Sequence, residues 1–502
     1  MKSRILNAIL AGLLAAVMIF TVTACGGGGD GSVDVSADTS AITEAAAVET
    51  TTAVRDSHSL PDADLEGYNY RILSIQPKSS GVSWCLTVPE EQDGETLNDA
   101  VYERNQKVTE EYNFTLENVV VSNAMNSALQ SVKAGDDIAD IALHATNASA
   151  KQVATGSFLD FNTVPHLELD NNYWEGDIIK SLSVANKVYI INGDIVFCDD
   201  DYTTFTMYNR ELGDDLGLPN MYEITRAGQF TYELMMDNMK LVVSDLNGDG
   251  VIDRPIFGWS GGKVSAMNDR IGMLTFNNNC VAPYFASSGV MLFEKDKNDL
   301  PRLAADTSFA AEVFEDVRTM IGEYSADWGQ FSDAIPIIVS MIDNKQVLFQ
   351  NMVISQVRRF FRDITVDFGL LPVAKYDEAQ ESYGTSGGFN GEGIVMPVTV
   401  RELDKSGFVL EALGANSYNV FEAYYTTCLE SKYTRDIESF EMIQLGRERI
   451  VYDLAFFYDF GKIGSSLNSA AAKGEGNFTS IYASLESAAV AEMEKFIEEM
   501  TR

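Results

Sequence analysis

The stretch Asp245-Leu-Asn247-Gly-Asp249-Gly250-Val251-Ile-Asp253 sets oxygen-bearing residues at alternate positions. Asp245, Asn247, Asp249 and Asp253 offer side-chain oxygens, Val251 a backbone carbonyl, and Gly250 the sharp turn that brings them round. That spacing suits a hard cation of the size of Ca2+. Position twelve of such a loop is Ile256, so a bidentate carboxylate is missing there and must come from elsewhere or be replaced by water. Pro255 follows at once and argues against a flanking helix. The stretch therefore reads as a structural Ca2+ loop or as an unfilled polar turn, and nothing else in the chain requires a cofactor.

Gly384-Thr-Ser386-Gly-Gly388 matches G-x-S-x-G. A nucleophile elbow needs a strand before it, a helix after it and a histidine downstream. The three histidines are His58, His144 and His166, so none follows the serine, and the segment reads as a glycine loop. The 74 acidic residues allow many carboxylate pairs for glycoside hydrolysis, and nothing singles out two. Phosphate-loop and dinucleotide fingerprints are absent from the sequence. No catalytic constellation is thus singled out and no enzyme is expected; a surface-attached glycan-active enzyme or adhesin is the alternative reading.

Cys25 is the other residue with chemistry of its own. Lys2 and Arg4 precede an apolar run from Ile9 to Val22, too short for a membrane span and right for a signal peptide. Val22-Thr23-Ala24-Cys25 closes that run and resembles the lipobox of bacterial lipoproteins. The small residues admit a peptidase, and the thiol accepts the lipid. Residues 1–24 then read as a signal peptide and Cys25 as the lipidated first residue of the mature chain, held at the outer face of the cell membrane. Residues 25–65 carry four successive glycines, then Ser, Thr, Ala and Asp without period, and read as a disordered tether. As a coil it would span about 35 Å, taking roughly 5–6 Å times the square root of its length.

Residues 66–502 are left for the body, long enough for two lobes. Hydrophobic residues make up 46% of the chain, and the formal charge is −38. That charge argues against nucleic acid, whose phosphates require Lys and Arg. Cys85, Cys198, Cys280 and Cys428 are widely spaced; they read as buried thiols, with one disulfide possible.

The elements that must position these residues alternate. Residues 68–74 and 114–121 read as strands, 97–113 and 123–134 as helices, and 138–144 as an apolar strand. Such alternation predicts a parallel sheet with helical crossovers, and ligands sit beyond the carboxyl ends of its strands. That points to the loops after Ser74, after His144 and around Asp194–Tyr202. The last hundred residues read as helical, with Ile481, Leu485, Ala489, Met493 and Phe496 on one stripe.

In order along the body, LNDAVYERNQKVTEEYN (97–113), DIALHATNASAKQVATGSFLDF (140–161), HLELDNNYWEGD (166–177), KVYIINGDI (187–195), MYNRELGDDLGLPNMYEITRAGQFTYELM (207–235), DFGLLPVAKYDEAQESYGTSGG (367–388) and KYTRDIESFEMIQL (432–445) together resemble the family 1 extracellular solute-binding proteins of bacterial ABC importers, particularly the sugar-binding lipoproteins. The chain departs from that pattern at Arg210, where Lys is common. The resemblance implies an α/β, two-lobed periplasmic-binding-protein-like fold (type II) with a hinge, an interlobe cleft and a helical C-terminal part. Lobe 1 would take roughly 66–190 and 385–430, and lobe 2 roughly 191–384 with the C-terminal helices 431–502. It also implies a small-molecule solute, a sugar above others, and an ABC permease as partner; a monomer is expected.

A sugar presents C–H faces to aromatic rings and hydroxyls to polar side chains. Of the four tryptophans, Trp84, Trp174 and Trp259 are candidates for the cleft, although each suits a core position equally well. Asn147, Asp199, Asp200, Tyr202, Asn390 and Glu392 are candidates from loops near strand ends. Arg358, with its neighbour Arg359, precedes a strand and could reach a carboxylate or hydroxyls. For Asp199 and Asp200 the plain alternative is a solvated acidic turn.

Overall fold

The structure is a computed structural model that describes residues 58–75, 87–253, 268–275, 280–327, 335–361 and 364–502. The signal, Cys25, most of the tether, Trp84, Cys85 and Trp259 lie outside these residues. Among the described residues the strands, in chain order, are β1 (Tyr68–Ile75), β2 (Phe114–Val121), β3 (Ile141–Ala145), β4 (Thr204–Asn209), β5 (Ile271–Thr275), β6 (Phe293–Lys295), β7 (Pro301–Leu303), β8 (Ser325–Asp327), β9 (Val347–Val353), β10 (Phe368–Leu371), β11 (Thr385–Ser386), β12 (Glu392–Val395) and β13 (Ile450–Val451).

Two sheets carry the body. The first has the order β12-β3-β1-β2 and the second β10-β4-β9-β5-β8. In the first, β1 runs parallel to β2 and β3, while β12 is an antiparallel strand added at the edge of β3. The parallel part follows from its crossovers. The helix Thr96–Tyr112 buries Leu97, Val101, Arg104, Val108 and Tyr112 on one stripe and stops at Asn113, which takes a left-handed conformation. The helix Ala124–Ala134 is capped by the Asn123 side chain, which accepts the Asn126 N–H at 2.8 Å. Gly135 ends it at φ +74°. At the sheet end, Asp140 is fully buried and accepts from the Arg71 backbone N–H at 2.8 Å and from Arg71 Nε at 3.1 Å, which fixes β3 beside β1.

The second sheet is mixed: β4 is antiparallel to β9 and β10, and β5 is parallel to β8 and β9. Every residue of β4, β5 and β10 is buried. Helices pack against it, and polar residues of its strands, Thr206 and Asn209 of β4 and Gln350 and Asn351 of β9, are buried with the apolar ones.

The chain passes between the sheets three times. It leaves the first after Val196 through the short helix Cys198–Asp201 into β4. It returns from β10 through residues 372–391, with β11 on the way, into β12. It leaves again after the helix Leu403–Ala415, through Tyr418–Glu422 and the π-helix Ala423–Tyr433, to the helix Ile437–Arg447. That last helix sits on β10, where Ser439 Oγ accepts the Leu370 N–H at 3.0 Å.

Two of the expected boundaries move. Residues 191–196 stay with the first sheet: Ile191 bridges Ile394 and Gly193 bridges Trp174. The C-terminal helices join both halves rather than the second alone. Tyr458 Oη donates to the Leu182 carbonyl at 2.7 Å and Lys187 Nζ to the Met500 carbonyl at 2.6 Å. On the other side Asn468 Oδ1 accepts the Val281 N–H at 2.8 Å. The buried residues of the helix Phe478–Thr501, among them Phe478, Tyr482, Ala489, Met493, Phe496 and Met500, lie on one stripe, and the hydrogen bond to the second half comes instead from Asn468 on the helix Ile463–Ala472. Cys198 is disulfide-bonded, and Cys280 and Cys428 are buried thiols. Among the described residues no helix is long and apolar enough to cross a membrane.

Candidate functional site

The carboxyl end of β3 meets two of the crossings. The Thr146 N–H and Oγ1 both donate to the Gly391 carbonyl, at 2.9 and 2.7 Å, and the Asn147 N–H reaches the Phe389 carbonyl at 3.3 Å. The glycines of this loop lie directly on the Cys198–Asp201 crossing. A Cβ on Gly388 would stand 2.1 Å from the Tyr202 Cβ, and one on Gly391 would stand 3.1 Å from the Asp199 Cα. Backbone can approach that closely only where no side chain intervenes. The loop and the crossing thus bring Asn147, Asp199, Tyr202, Asn390 and Glu392 together, with Asp200 next in chain. Glu392 is 1% exposed, and its carbonyl accepts Asn192 Nδ2 at 3.1 Å.

The charges gathered here are mainly negative. Burial pushes the Asp199 carboxyl well above the ordinary range, and the nearby charges of Asp200 and Glu175 push it the same way. Arg447, at the end of the helix Ile437–Arg447, is the cation of the group. It is ion-paired to Asp200 and stands 5.2 Å from the Tyr425 ring centroid, and its Nη1 donates to Thr203 Oγ1 at 3.3 Å. Burial works against its charge, but Asp200, Tyr425, Glu175 and Asp199 outweigh that and hold its pKa well above the usual value. Tyr425 Oη donates to Asp200, and Tyr424 Oη to Asp201 at 2.8 Å. Tyr452 closes the floor against Gly387. Asp199 Oδ1 is buried and finds no hydrogen-bond partner among the described residues. A group in that state gains most from a donor supplied by a ligand.

Several expected residues lie elsewhere. Trp174 is a core residue, 3% exposed. Its Nε1 donates to the Glu411 carboxylate at 3.1 Å, and its ring fills the space left by Gly414. A buried acceptor and a missing Cβ draw the indole inward, while its neighbour Glu175 joins the site. The side chains of Arg358 and Arg359 lie outside the described residues, as do Trp84 and Trp259. Glu175, Arg447, Thr203, Tyr425 and Tyr452 escaped the sequence reading. Glu175 adjoined a candidate, but nothing in the sequence tied Arg447 or the tyrosines to Asp200.

The 245–253 loop forms with Gly248 at φ +76° and Gly250 at φ +83°. Its carboxylates are turned to backbone: Asp245 accepts the N–H groups of Gly248 at 2.6 Å and Gly250 at 2.7 Å, and Asp249 that of Val251 at 2.9 Å. Asp269 accepts the N–H groups of Leu246 at 2.9 Å and Asp253 at 2.7 Å. Among the described residues no group of three or more His, Cys, Asp or Glu is placed to hold a metal ion. The turn and the donor types fit a Ca2+ loop; convergence of the carboxylates does not appear.

No family model matches the chain, and no curated protein matches it in sequence. Solved structures do match in fold. The galacto-N-biose/lacto-N-biose I-binding protein of an ABC transporter from Bifidobacterium longum is 12% identical, with a TM-score of 0.53 over 86% of this chain and 98% of that one. A cyclo/maltodextrin-binding protein complexed with maltotetraose is 12% identical, with a TM-score of 0.53 over 87% and 98%. An ABC substrate-binding protein from Listeria monocytogenes in complex with cycloalternan is 11% identical, with a TM-score of 0.51 over 87% and 100%. The chain therefore has the two-lobed α/β fold of these solute-binding proteins, with its acidic cluster where the chain passes between the lobes.

Proposed function

We propose that this protein is a lipid-anchored, extracytoplasmic solute-binding protein that captures a carbohydrate between its lobes and delivers it to an ABC permease. One observation carries the reading: polar candidates from β3, from the 388–392 loop and from the 198–202 crossing converge at the junction of the lobes. Asp199 there keeps one buried carboxyl oxygen, Oδ1, without a hydrogen-bond partner among the described residues. A solute touching both lobes would favour the closed arrangement through contacts available only in it. Sugars fit the chemistry, since Asp199, Asp200, Asn147, Asn390 and Arg447 can satisfy hydroxyls while tyrosines offer ring faces. The proteins of like fold bind sugars, which supports the same solute class here. Binding without turnover, a monomeric state and lipid attachment at Cys25 complete the proposal.

The test is a thermal-shift screen against mono- and oligosaccharides, peptides and polyamines, with product analysis of each sugar. Saturable stabilisation by a sugar that is recovered intact is expected. Turnover of the sugar, or stabilisation by peptides or polyamines alone, would overturn the reading.

The proposal includes one Ca2+ held by Asp245, Asn247, Asp249, the Val251 carbonyl and Asp253, where it would brace the loop by neutralising its carboxylates. Elemental analysis of the purified protein should find calcium, and an Asp249→Ala variant should lose it along with some thermal stability. Wild-type protein without calcium would rule the site out.

A further inference from the structure

The charges gathered at the crossings are unequal. Asp199 and Asp201 are buried, and Asp200 stands between them in the chain. Glu175, just before the helix Gly176–Leu182, adds its charge from the first lobe. Among the described residues the ion pair of this group joins Asp200 to Arg447, whose Nη1 also donates to Thr203 Oγ1 at 3.3 Å. Asp200 takes the Tyr425 hydroxyl as well, and Asp201 takes that of Tyr424 at 2.8 Å. Asp199 differs from both. It is 7% exposed, and its Oδ1 is buried with no hydrogen-bond partner among the described residues. Its charge nevertheless acts on Arg447, Tyr425 and Tyr452, so the carboxyl is turned into the cluster.

The other elements packed on this crossing do not correct the balance. The strand β12 brings Glu392, the π-helix Tyr424 and Tyr425, and the chain after β13 Tyr452. The helix Ile354–Phe360 also packs there, and the side chains of its Arg358 and Arg359 lie outside the described residues. Burial, Asp200 and Glu175 hold the proton on Asp199 well above the ordinary range, and Arg447 offsets this only in part. A cation brought to that carboxyl takes the place of the proton. The charge of the cluster is then unchanged, and the idle oxygen gains a charged donor. Among the described residues no three acidic, His or Cys side chains surround one point as metal ligands do. The arrangement suits an ammonium group instead, whose N–H bonds reach separate acceptors.

We infer that the solute is an amino sugar, and that its ammonium group sits on Asp199 while its hydroxyls meet the neighbouring polar side chains. The nitrogen substituent then sets the specificity. The parent sugar offers a hydroxyl at the same carbon, which can donate to Oδ1 but brings no charge. The N-acetyl sugar offers an uncharged amide and a methyl group that would be buried against carboxyls. This inference rests on the carbohydrate reading, so its test separates the two.

The probes are glucosamine, galactosamine and mannosamine, each with its parent hexose and its N-acetyl derivative, and the short oligosaccharides of chitosan, chitin and cellulose. They are titrated calorimetrically into the whole protein at about pH 6, where such amines are charged. In at least one set the amino sugar should bind about tenfold or more tighter than both its parent and its N-acetyl form. Asp199→Asn should remove that preference, because an amide carries no opposing charge. If Asp199→Asn does not fold, Glu175→Gln lowers the negative charge from outside the crossing and should reduce the preference as well. Equal affinity for amine and parent, or a preference for the N-acetyl form, overturns the inference and leaves the carbohydrate reading standing. So does a preference that survives both substitutions. Refusal of every sugar by the wild-type protein overturns both, whether or not spermidine, a cation without a sugar ring, is bound.

Discussion

Buried carboxyls set the chemistry of this molecule at the scale of single residues, and they divide into two kinds. Asp140 is paired with Arg71 and serves the fold. Asp199 and Asp453 are buried and, among the described residues, neither forms an ion pair, although the Arg447 charge lowers the Asp199 pKa somewhat. Asp453 caps the helix Leu454–Phe457 by accepting the Ala455 N–H at 2.8 Å, yet burial raises its pKa from 3.8 to about 7. The folded state therefore holds this proton more tightly than the unfolded chain does. Its contribution favours folding below the unfolded value and is lost progressively as pH rises toward about 7. Asn caps a helix as well as Asp does but cannot ionise. Asp453→Asn should accordingly be more stable than the wild type at pH 8, with the gain vanishing near pH 4. Melting temperatures across that range check this, and a gain independent of pH would contradict it.

At the scale of elements, the crossings are built on close approach. Gly387 lies on the Tyr452 ring, and Gly388 on the Tyr202 backbone. A methyl group at Gly388 meets main chain that cannot swing aside. Gly388→Ala should cost about 1–3 kcal/mol in a denaturant titration, the usual penalty of overpacking. Unchanged stability would mean that the crossing yields easily. The sequence made the first sheet legible: β1, β2 and the helices Thr96–Tyr112 and Ala124–Ala134 lie within a residue or two of their expected positions, because period and caps are local. The 384–388 segment reads as a glycine loop, but Thr385 and Ser386 pair as β11 with β13, and Gly387 and Gly388 lie on tyrosines distant in sequence. Trp174 shows the same limit, since its inward turn depends on Glu411 and Gly414. Arg447 was invisible because its carboxylate partner comes from another crossing.

At the scale of the whole molecule, two α/β halves are tied by three crossings and by C-terminal helices that grip both. A sugar-sized ligand at the crossings can couple to the relation between the halves, which a ligand confined to one lobe could not. Under the proposed lipid attachment the tether would add reach, keeping the body near a membrane permease while it searches for solute. Metabolic labelling with a fatty-acid probe in the producing bacterium should mark the wild-type protein, and Cys25→Ser should leave it unmarked and released from the membrane. Labelling that persists in Cys25→Ser would place the anchor elsewhere.

The capture site at the crossings is tested most directly by equilibrium binding of the stabilising sugar to wild-type protein and to Asp199→Asn. The substitution keeps the size of the side chain and changes its hydrogen-bonding character at a buried point. Binding should weaken about tenfold or more, in line with a lost hydrogen bond to a buried or charged group, while the melting temperature of the free protein holds or rises. Undiminished affinity in a folded Asp199→Asn variant would place the solute elsewhere and contradict the account.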